Sequence, residues 1–123
     1  IQLIKAGESS IMEKMVKGNI EKITDEIVVK AAQKNDSLAK KVIDSAVKFL
    51  AMGIANIVSI LNPDMVVFGG GLFQAGCMLL NPIREEFKNW AQPLAAQKVK
   101  IELSGLGEDA GLYGAGKLAW KHC

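Results

Sequence analysis

Residues 62–71 read NPDMVVFGGG, so a short apolar strand runs directly into three consecutive glycines. Glycine lacks a Cβ and readily adopts a positive φ, so a flat ligand or a phosphate can approach its main chain closely. A turn that only reversed the chain would rarely need all three of Gly69, Gly70 and Gly71. The pattern fits a nucleotide-binding turn at the carboxyl end of a parallel strand, where open α/β sheets bind their ligands. A tight turn in a packed segment explains the same residues and stays open as the alternative.

The sequence before this strand predicts three helices. A serine, Ser9 or Ser10, can cap the first helix, Thr24 begins the second and Asp36 caps the third. The three helices are expected to cover about 10–17, 24–35 and 36–61. The third helix is amphipathic in its first half and apolar all round from Phe49 to Leu61, which predicts that its second half is buried between other elements.

The sequence after the glycines predicts a β-α-β unit followed by a last helix. Residues 65–68 are too short and too apolar for an alternating surface strand and are expected to be buried. A helix over about 75–90 is expected next, interrupted at Asn81-Pro82, and Pro93 is expected to close this region. A strand over 99–103, a turn marked by Gly105 and Gly107, and a helix to about Lys121 that Asp109 caps are expected to follow. The fold class is therefore α/β, in the order α-α-α-β-α-β-α, with a short parallel sheet. Two strands are too few for an independent sheet, so another segment or subunit is expected to complete it.

Composition and charge exclude several classes of protein. The chain has 123 residues, enough for one domain, and a net charge of +2, which is too small to indicate nucleic acid or an anionic membrane as a partner. Its uncharged run 49–63 is shorter than the roughly 20 residues of a membrane span. Cys77 and Cys123 are the only cysteines and His122 is the only histidine, so this chain alone holds no four-ligand zinc site. Such sparse cysteines indicate a cytoplasmic protein.

No residue of the chain is predicted to be catalytic. The serines nearest the glycines, Ser59 and Ser104, have no histidine that could activate them. No two acidic residues nearby have the isolation expected of a general acid and base. These acids are Asp64, Glu85, Glu86, Glu108 and Asp109. Of these, the Glu85-Glu86 pair is interpreted as a solvated helix face.

The last helix is rich in small residues. Residues 108–116 read EDAGLYGAG, and each glycine within a helix costs about 1 kcal/mol relative to alanine. Close packing against another helix, or a hinge, would justify that cost. Direct contact with a ligand is the alternative.

Four segments in order, at residues 34–39, 61–71, 80–84 and 107–115, resemble the C-terminal part of the ROK family (repressors, open reading frames and kinases). The resemblance covers 24–123, with 1–23 as a helical lead-in. It implies the C-terminal part of an actin-like, ribonuclease-H-like ATPase fold, in which two lobes close over ATP and a sugar.

The resemblance also implies roles for particular residues. Gly69, Gly70 and Gly71 correspond to the family's adenosine-binding segment. The small residues of the last helix correspond to a helix that connects the lobes, which favours hinge packing over ligand contact; they are Ala110, Gly111, Gly114 and Ala115. The family's phosphate loop, catalytic aspartate, sugar-binding acid and histidine, and zinc-binding cysteines have no counterpart here. We therefore expect a C-terminal lobe fragment over 1–123 that is inactive alone.

The function that the resemblance implies is that of a glucokinase-type sugar kinase, which converts a hexose and ATP into hexose 6-phosphate. ATP and Mg²⁺ would be cofactors of the parent protein. The parent could also bind zinc, but no zinc-coordinating residues lie in this chain. The alternative is the effector-sensing lobe of a ROK transcriptional repressor, and only then would nucleic acid be a partner. A ligand-free lobe for subunit contact is a third interpretation. The family commonly forms dimers or tetramers, so a homo-oligomer is expected, with no membrane partner.

Overall fold

The structure is a computed structural model that describes residues 2–5, 7–70 and 77–122. It divides into two compact units, Ile1–Phe49 and Leu50–Cys123. The first unit contains helices α1 (Gln2–Lys5), α2 (Ile11–Met15) and α3 (Asp25–Gln33), a 3₁₀ turn at Ile20–Lys22, and the first half of α4 (Ser37–Leu61). The second unit contains the rest of α4, strand β1 (Met65–Phe68), helices α5 (Cys77–Trp90) and α6 (Pro93–Lys98), strand β2 (Lys100–Leu103), a 3₁₀ turn at Gly107–Asp109 and helix α7 (Ala110–His122).

The core of the first unit lies where α2 packs on α3. Its buried side chains are apolar and mostly small, which allows the helices to approach closely. They are Met12, Val16, Ala31, Ala32, Leu38, Ala39 and Val47. Ser10 caps α2, as one of the two predicted alternatives, because its hydroxyl accepts a hydrogen bond from the backbone N–H of Met12 at 3.1 Å.

A single left-handed residue joins α3 to α4. Asn35 has φ +64°, and asparagine tolerates this region better than most residues with a Cβ. The Asn35 N–H donates to the Ala32 carbonyl at 2.9 Å, and the Asp36 N–H donates to the Ala31 carbonyl at 3.1 Å. These two bonds form a Schellman motif, which satisfies carbonyls that the end of α3 would leave unpaired. The prediction that Asn35 ends the helix is confirmed.

The Asp36 carboxylate then caps α4 and also holds the start of α2. One oxygen, Oδ1, accepts from the Ala39 backbone N–H at 2.8 Å and from the Ser10 hydroxyl at 3.1 Å. The other, Oδ2, accepts from the Ile11 backbone N–H at 2.8 Å. The residue is only 9% exposed. The predicted cap is therefore present, and it also joins residues 25 positions apart in sequence.

Two opposing effects act on the pKa of Asp36. Burial favours the neutral carboxyl and by itself raises the pKa. Hydrogen bonds from Ala39, Ile11, Ser10 and Leu38 stabilise the carboxylate and lower the pKa. The hydrogen bonds outweigh burial, so the pKa lies below the ordinary aspartate value.

Strands β1 and β2 form a parallel pair, as predicted, with Met65 opposite Lys100 and Phe68 opposite Leu103. The predicted alternation of β2 is confirmed, because Ile101 is buried while its neighbours Lys100 and Glu102 are exposed. Helix α5 packs on β2 and contributes four buried side chains to the second unit: Leu79, Leu80, Ile83 and Phe87.

Arg84 of α5 binds the outer edge of β2. Its Nε donates to the Ile101 carbonyl at 2.8 Å, and its Nη2 lies 2.7 Å from the Glu102 carboxylate. The N–H groups of Lys100 and Ser104 donate to β1. Backbone groups alternate direction along a strand, so the Ile101 carbonyl points away from β1. Arg84 thus satisfies a carbonyl that the two-stranded sheet leaves unpaired.

Several expectations about burial and order are wrong. Strand β1 is not buried on both faces, because Met65 and Val67 are 48% and 56% exposed.

The order of elements differs from the predicted one by two additional short helices, α1 and α6. Pro93, expected to close the preceding region, instead begins α6, since proline fits the first turn of a helix, where its missing N–H costs no bond. Pro82 does not interrupt α5, which runs through it and forgoes one hydrogen bond. The predicted start of this helix near residue 75 lies outside the described residues.

The second half of α4 is also only partly buried. One face is in the core, at Ala51, Ile54, Ala55 and Val58. The other face carries exposed apolar side chains, at Phe49, Ile57, Ile60 and Leu61. In the described part of the chain, α4 is the one helix long and apolar enough to cross a membrane by length and composition, a criterion that core helices of soluble proteins also meet. The prediction of burial all round fails because it assumed neighbours that the described chain does not supply.

Candidate functional site

The carboxyl ends of β1 and β2 meet at one edge of the sheet. Gly69 and Gly70 follow β1, while Ser104 and Gly105 follow β2. The Ser104 N–H donates to the Phe68 carbonyl at 2.7 Å, so the pairing extends one residue past β2. The parallel register therefore brings two glycine-containing turns side by side, at the edge where open α/β sheets bind ligands.

The first turn has room on its outer side. Gly70 has φ +94°, which residues with a side chain rarely adopt, and a Cβ added there would meet no heavy atom within 4 Å in the described part of the chain. Gly69 has no positive φ, and its Cβ would lie 3.7 Å from the Ser104 Cβ, in ordinary van der Waals contact. Gly71, the third predicted site residue, lies outside the described residues. The two glycines that are described thus lie at the sheet edge with an accessible main chain.

The second turn, Ser104–Gly107, leads from β2 toward α7. The Ser104 hydroxyl accepts from the Leu106 N–H at 3.2 Å and so holds the turn closed. Gly107 has φ +56°, and Cβ atoms added at Gly105 or Gly107 would meet no described heavy atom within 4 Å. In the sequence, these glycines indicate only a turn. The signal that could have found them is that both parallel strands end in glycine-containing turns.

The small residues of α7 do not pack against another described helix. Cβ atoms added at Gly111, Gly114 or Gly116 would have no described heavy atom within 4 Å apart from the helix itself and chain neighbours. Large side chains on the same helix are exposed, with Leu112 at 73% and Trp120 at 83%. The described chain therefore supplies no surface for α7, and its role as a connecting helix stays a prediction.

Two of the five acidic residues considered in the sequence, Glu85 and Glu86, have side-chain partners on α5. Glu85 pairs with Lys88 at 2.9 Å on the exposed face of α5. Glu86 accepts from Trp90 Nε1 at 2.8 Å and from Asn89 Nδ2 at 3.0 Å. Within residues 2–5, 7–70 and 77–122, no three histidine, cysteine, aspartate or glutamate side chains lie close enough to bind a metal ion. What this edge presents is exposed backbone, at Gly69 and Gly70.

The structure defines a class of fold: a mostly helical α/β chain with a two-stranded parallel sheet whose strands both end in glycine-containing turns. Within that class, the model of the ROK family matches residues 4–122. The chain belongs to the ROK family, as the resemblance implied.

Curated relatives include both enzymes and regulators. A glucokinase from Halalkalibacterium halodurans is 38% identical over 96 residues, which cover 78% of this chain and 29% of the relative. A glucokinase from Thermotoga maritima is 33% identical over 114 residues, 93% of this chain and 36% of the relative. A xylose repressor from Caldicellulosiruptor bescii is 28% identical over 96 residues, 78% of this chain and 24% of the relative. The chain spans roughly a quarter to a third of the length of these relatives.

Solved structures show the same division. A ROK family glucokinase from Streptomyces griseus, in complex with glucose and AMPPNP, has a TM-score of 0.77 at 25% identity, covering 88% of this chain and 35% of that one. A ROK family transcriptional regulator, a homologue of the E. coli MLC protein, has a TM-score of 0.68 at 28% identity, covering 83% of this chain and 24% of that one. The chain thus shares its fold with part of the actin-like ROK kinases and with part of a ROK regulator.

Proposed function

We propose that this chain is the nucleotide-binding lobe of an ATP-dependent, glucokinase-type sugar kinase. The parent protein transfers the γ-phosphate of ATP to a hexose hydroxyl and yields hexose 6-phosphate. The observation that carries the proposal is the exposed glycine turn, Gly69 and Gly70, at the carboxyl edge of the sheet. The similarity to a glucokinase that binds glucose and AMPPNP supports it.

The residues present fit the adenosine part of ATP. Gly69 and Gly70 would hold it through main-chain contacts, since Gly70 leaves open space where a side chain would stand. ATP supplies the phosphoryl group that is transferred, and Mg²⁺ would bridge its phosphates in the parent protein. The described residues do not fit a zinc site, because they contain no cluster of metal-binding side chains.

This chain alone is proposed to lack sugar-phosphorylating activity. No residue in the described part combines the position and the partners of a general base, and none is arranged to hold a γ-phosphate. A coupled assay with ATP, Mg²⁺ and glucose should stay at background. Turnover that survives repurification and scales with protein concentration would contradict this.

Nucleotide binding is tested directly by titrating the labelled protein with adenosine and recording amide chemical shifts. With adenosine contacts alone, the dissociation constant should lie between high micromolar and millimolar, roughly 4–6 kcal/mol of binding free energy. Gly70→Val should abolish the shifts, because it puts a branched side chain at a backbone of positive φ. Gly53→Ala is the control, since Gly53 lies on α4 and a Cβ there meets no described heavy atom within 4 Å. Shifts that persist unchanged in Gly70→Val would put the site elsewhere.

The second candidate function is the effector-sensing lobe of a ROK transcriptional repressor, supported by the similarity to the xylose repressor and to the ROK regulator. Nucleic acid would then be a partner of the parent protein. The two candidates differ in their ligand, because only the kinase needs adenosine. Amide chemical shifts that change with xylose or glucose but not with adenosine would favour the repressor.

We further propose that the protein acts in the cytoplasm as a homo-oligomer. Two features support the oligomer: exposed Met65 and Val67 on β1, and the exposed apolar face of α4. Apolar surface of this kind marks interaction sites in soluble proteins. Sedimentation equilibrium at micromolar concentration tests the oligomer, and a monomer with a cooperative melt would rule it out.

A further inference from the structure

The turn Ser104–Gly107 is held closed by its own hydrogen bond and yet presents an apolar side chain to solvent. Leu106 lies between two glycines, Gly105 and Gly107, and is 51% exposed. Its N–H is bonded to the Ser104 hydroxyl. The turn is therefore held by a polar bond, and about half of Leu106 is left uncovered by the described residues.

The position of this turn relative to the first one is fixed by the sheet. The Ser104 N–H is bonded to the Phe68 carbonyl at 2.7 Å, and a Cβ on Gly69 would contact the Ser104 Cβ at 3.7 Å. The two turns are thus adjacent at their bases, while no described heavy atom lies within 4 Å of the Cβ positions of Gly70 and Gly105. Two adjacent turns whose glycine Cβ positions meet no described heavy atom are suited to a flat ligand.

We infer that the Ser104–Gly107 turn forms a second wall of the nucleotide site, in which Leu106 contacts the purine ring and Gly105 lets the ring approach the main chain. This inference rests on the proposed nucleotide-binding function and adds residues to that site. The ligand class is a purine nucleoside, because a base presents an apolar face that leucine can cover, whereas a phosphate needs charged or N–H donors.

The competing explanation is that the turn only connects β2 to α7. Two variants separate the explanations without disturbing the fold. Gly105 has no positive φ and has open space at its Cβ, so Gly105→Val is compatible with the backbone. Leu106 is half exposed, so Leu106→Ala removes little packing. Leu94→Ala is the matched control, since Leu94 is an exposed leucine on α6 at 73%.

The experiment titrates the purified protein and its variants with adenosine, and separately with inorganic triphosphate, while amide chemical shifts are recorded. We expect adenosine to shift the amides of both turns in the wild type, and triphosphate alone to leave the Ser104–Gly107 turn unshifted. Leu106→Ala should weaken adenosine binding about five- to tenfold, because it removes the apolar contact. Gly105→Val should weaken it at least as much, and Leu94→Ala should leave it unchanged.

The outcomes distinguish this inference from the proposed function. One outcome is that Gly70→Val abolishes binding while Gly105→Val and Leu106→Ala bind as the wild type does. That result would contradict the second wall but agree with the proposed nucleotide site. If the wild type shows no shifts with adenosine, the proposed function fails, and the second wall with it. A response of the second turn to triphosphate alone would overturn the assignment to the base.

Discussion

The corner between α3 and α4, at Asn35 and Asp36, differs from the carboxyl edge of the sheet in how its polar groups are paired. At the corner, one carboxylate accepts three hydrogen bonds of 2.8–3.1 Å, and the backbone of the turn before it is paired as well. At the sheet edge, Cβ atoms added at Gly70, Gly105 or Gly107 would meet no described heavy atom within 4 Å, and Leu106 is half exposed.

This difference separates residues that stabilise the fold from residues available to a ligand. A polar group that finds all its partners within the chain contributes to stability, and its removal leaves buried donors unpaired. A backbone that is accessible and held in place by its neighbours contributes little to stability but can bind. Substitutions at the corner should therefore change the free energy of unfolding, whereas those at the edge should change binding.

The largest effect on stability is expected from Asp36→Ala. The change removes the cap of α4 and leaves the Ile11 and Ala39 N–H groups without their acceptor, so the free energy of unfolding should fall by about 3 kcal/mol. Urea denaturation followed by circular dichroism measures it. Asp44→Ala, an exposed position on the same helix, should change stability by less than about 0.5 kcal/mol. A similar small loss for both variants would show that the corner is not a stabilising centre.

Acid should remove part of the same stabilisation. Because the pKa of Asp36 is lowered in the folded state, its contribution is fully present above the unfolded pKa, about 3.9, and is lost as the pH falls through the folded value. The stability difference between the wild type and Asp36→Asn should therefore shrink as the pH falls below about 4. Urea denaturation of both proteins over this range is the measurement, and a difference that stays constant would contradict the assignment.

A smaller effect is expected at the outer edge of β2. Arg84→Gln removes the hydrogen bond to the Ile101 carbonyl and the ion pair with Glu102, which should lower the free energy of unfolding by about 1–1.5 kcal/mol. Lys88→Gln, which breaks only the exposed pair with Glu85, should cost less than about 0.5 kcal/mol. Equal losses for the two variants would mean that the bond to the strand adds nothing beyond a surface ion pair.

The smallest effect is expected on α7. Trp120 is 83% exposed, so Trp120→Ala should change the free energy of unfolding by less than about 0.5 kcal/mol. Ile101→Val, which trims a buried side chain by one methyl group, should cost about 1 kcal/mol. Thermal and urea denaturation compare the two. A loss above about 2 kcal/mol for Trp120→Ala would reveal a partner that covers α7 in solution.

The local features of the fold could be predicted from the sequence. Asn35 and Asp36 were identified as a helix end and a cap, because capping depends on residues adjacent in sequence. The strand before Gly69 and the alternation of β2 were identified for the same reason. Within the candidate site, the sequence indicated the first turn but not the second, since only the parallel pairing shows that Ser104 lies against Gly69.

Burial could not be predicted in the same way. An apolar residue is buried only where another part of the molecule covers it, and the sequence pattern does not say whether that cover belongs to the same chain. Three apolar residues that no described part of the chain covers show this: Met65, Val67 and Ile60 are exposed. Pro93 was misassigned because proline marks both the end of one element and the start of the next.

The bond between Arg84 and the Ile101 carbonyl also bears on aggregation. An unpaired strand edge offers carbonyl and N–H groups that can template strands of other molecules, and charged side chains at such edges oppose this. Arg84 donates to the Ile101 carbonyl on the outer edge of β2 and places a positive charge there, next to Glu102. Growth of the sheet by further strands is therefore disfavoured at β2 and directed to the side of β1.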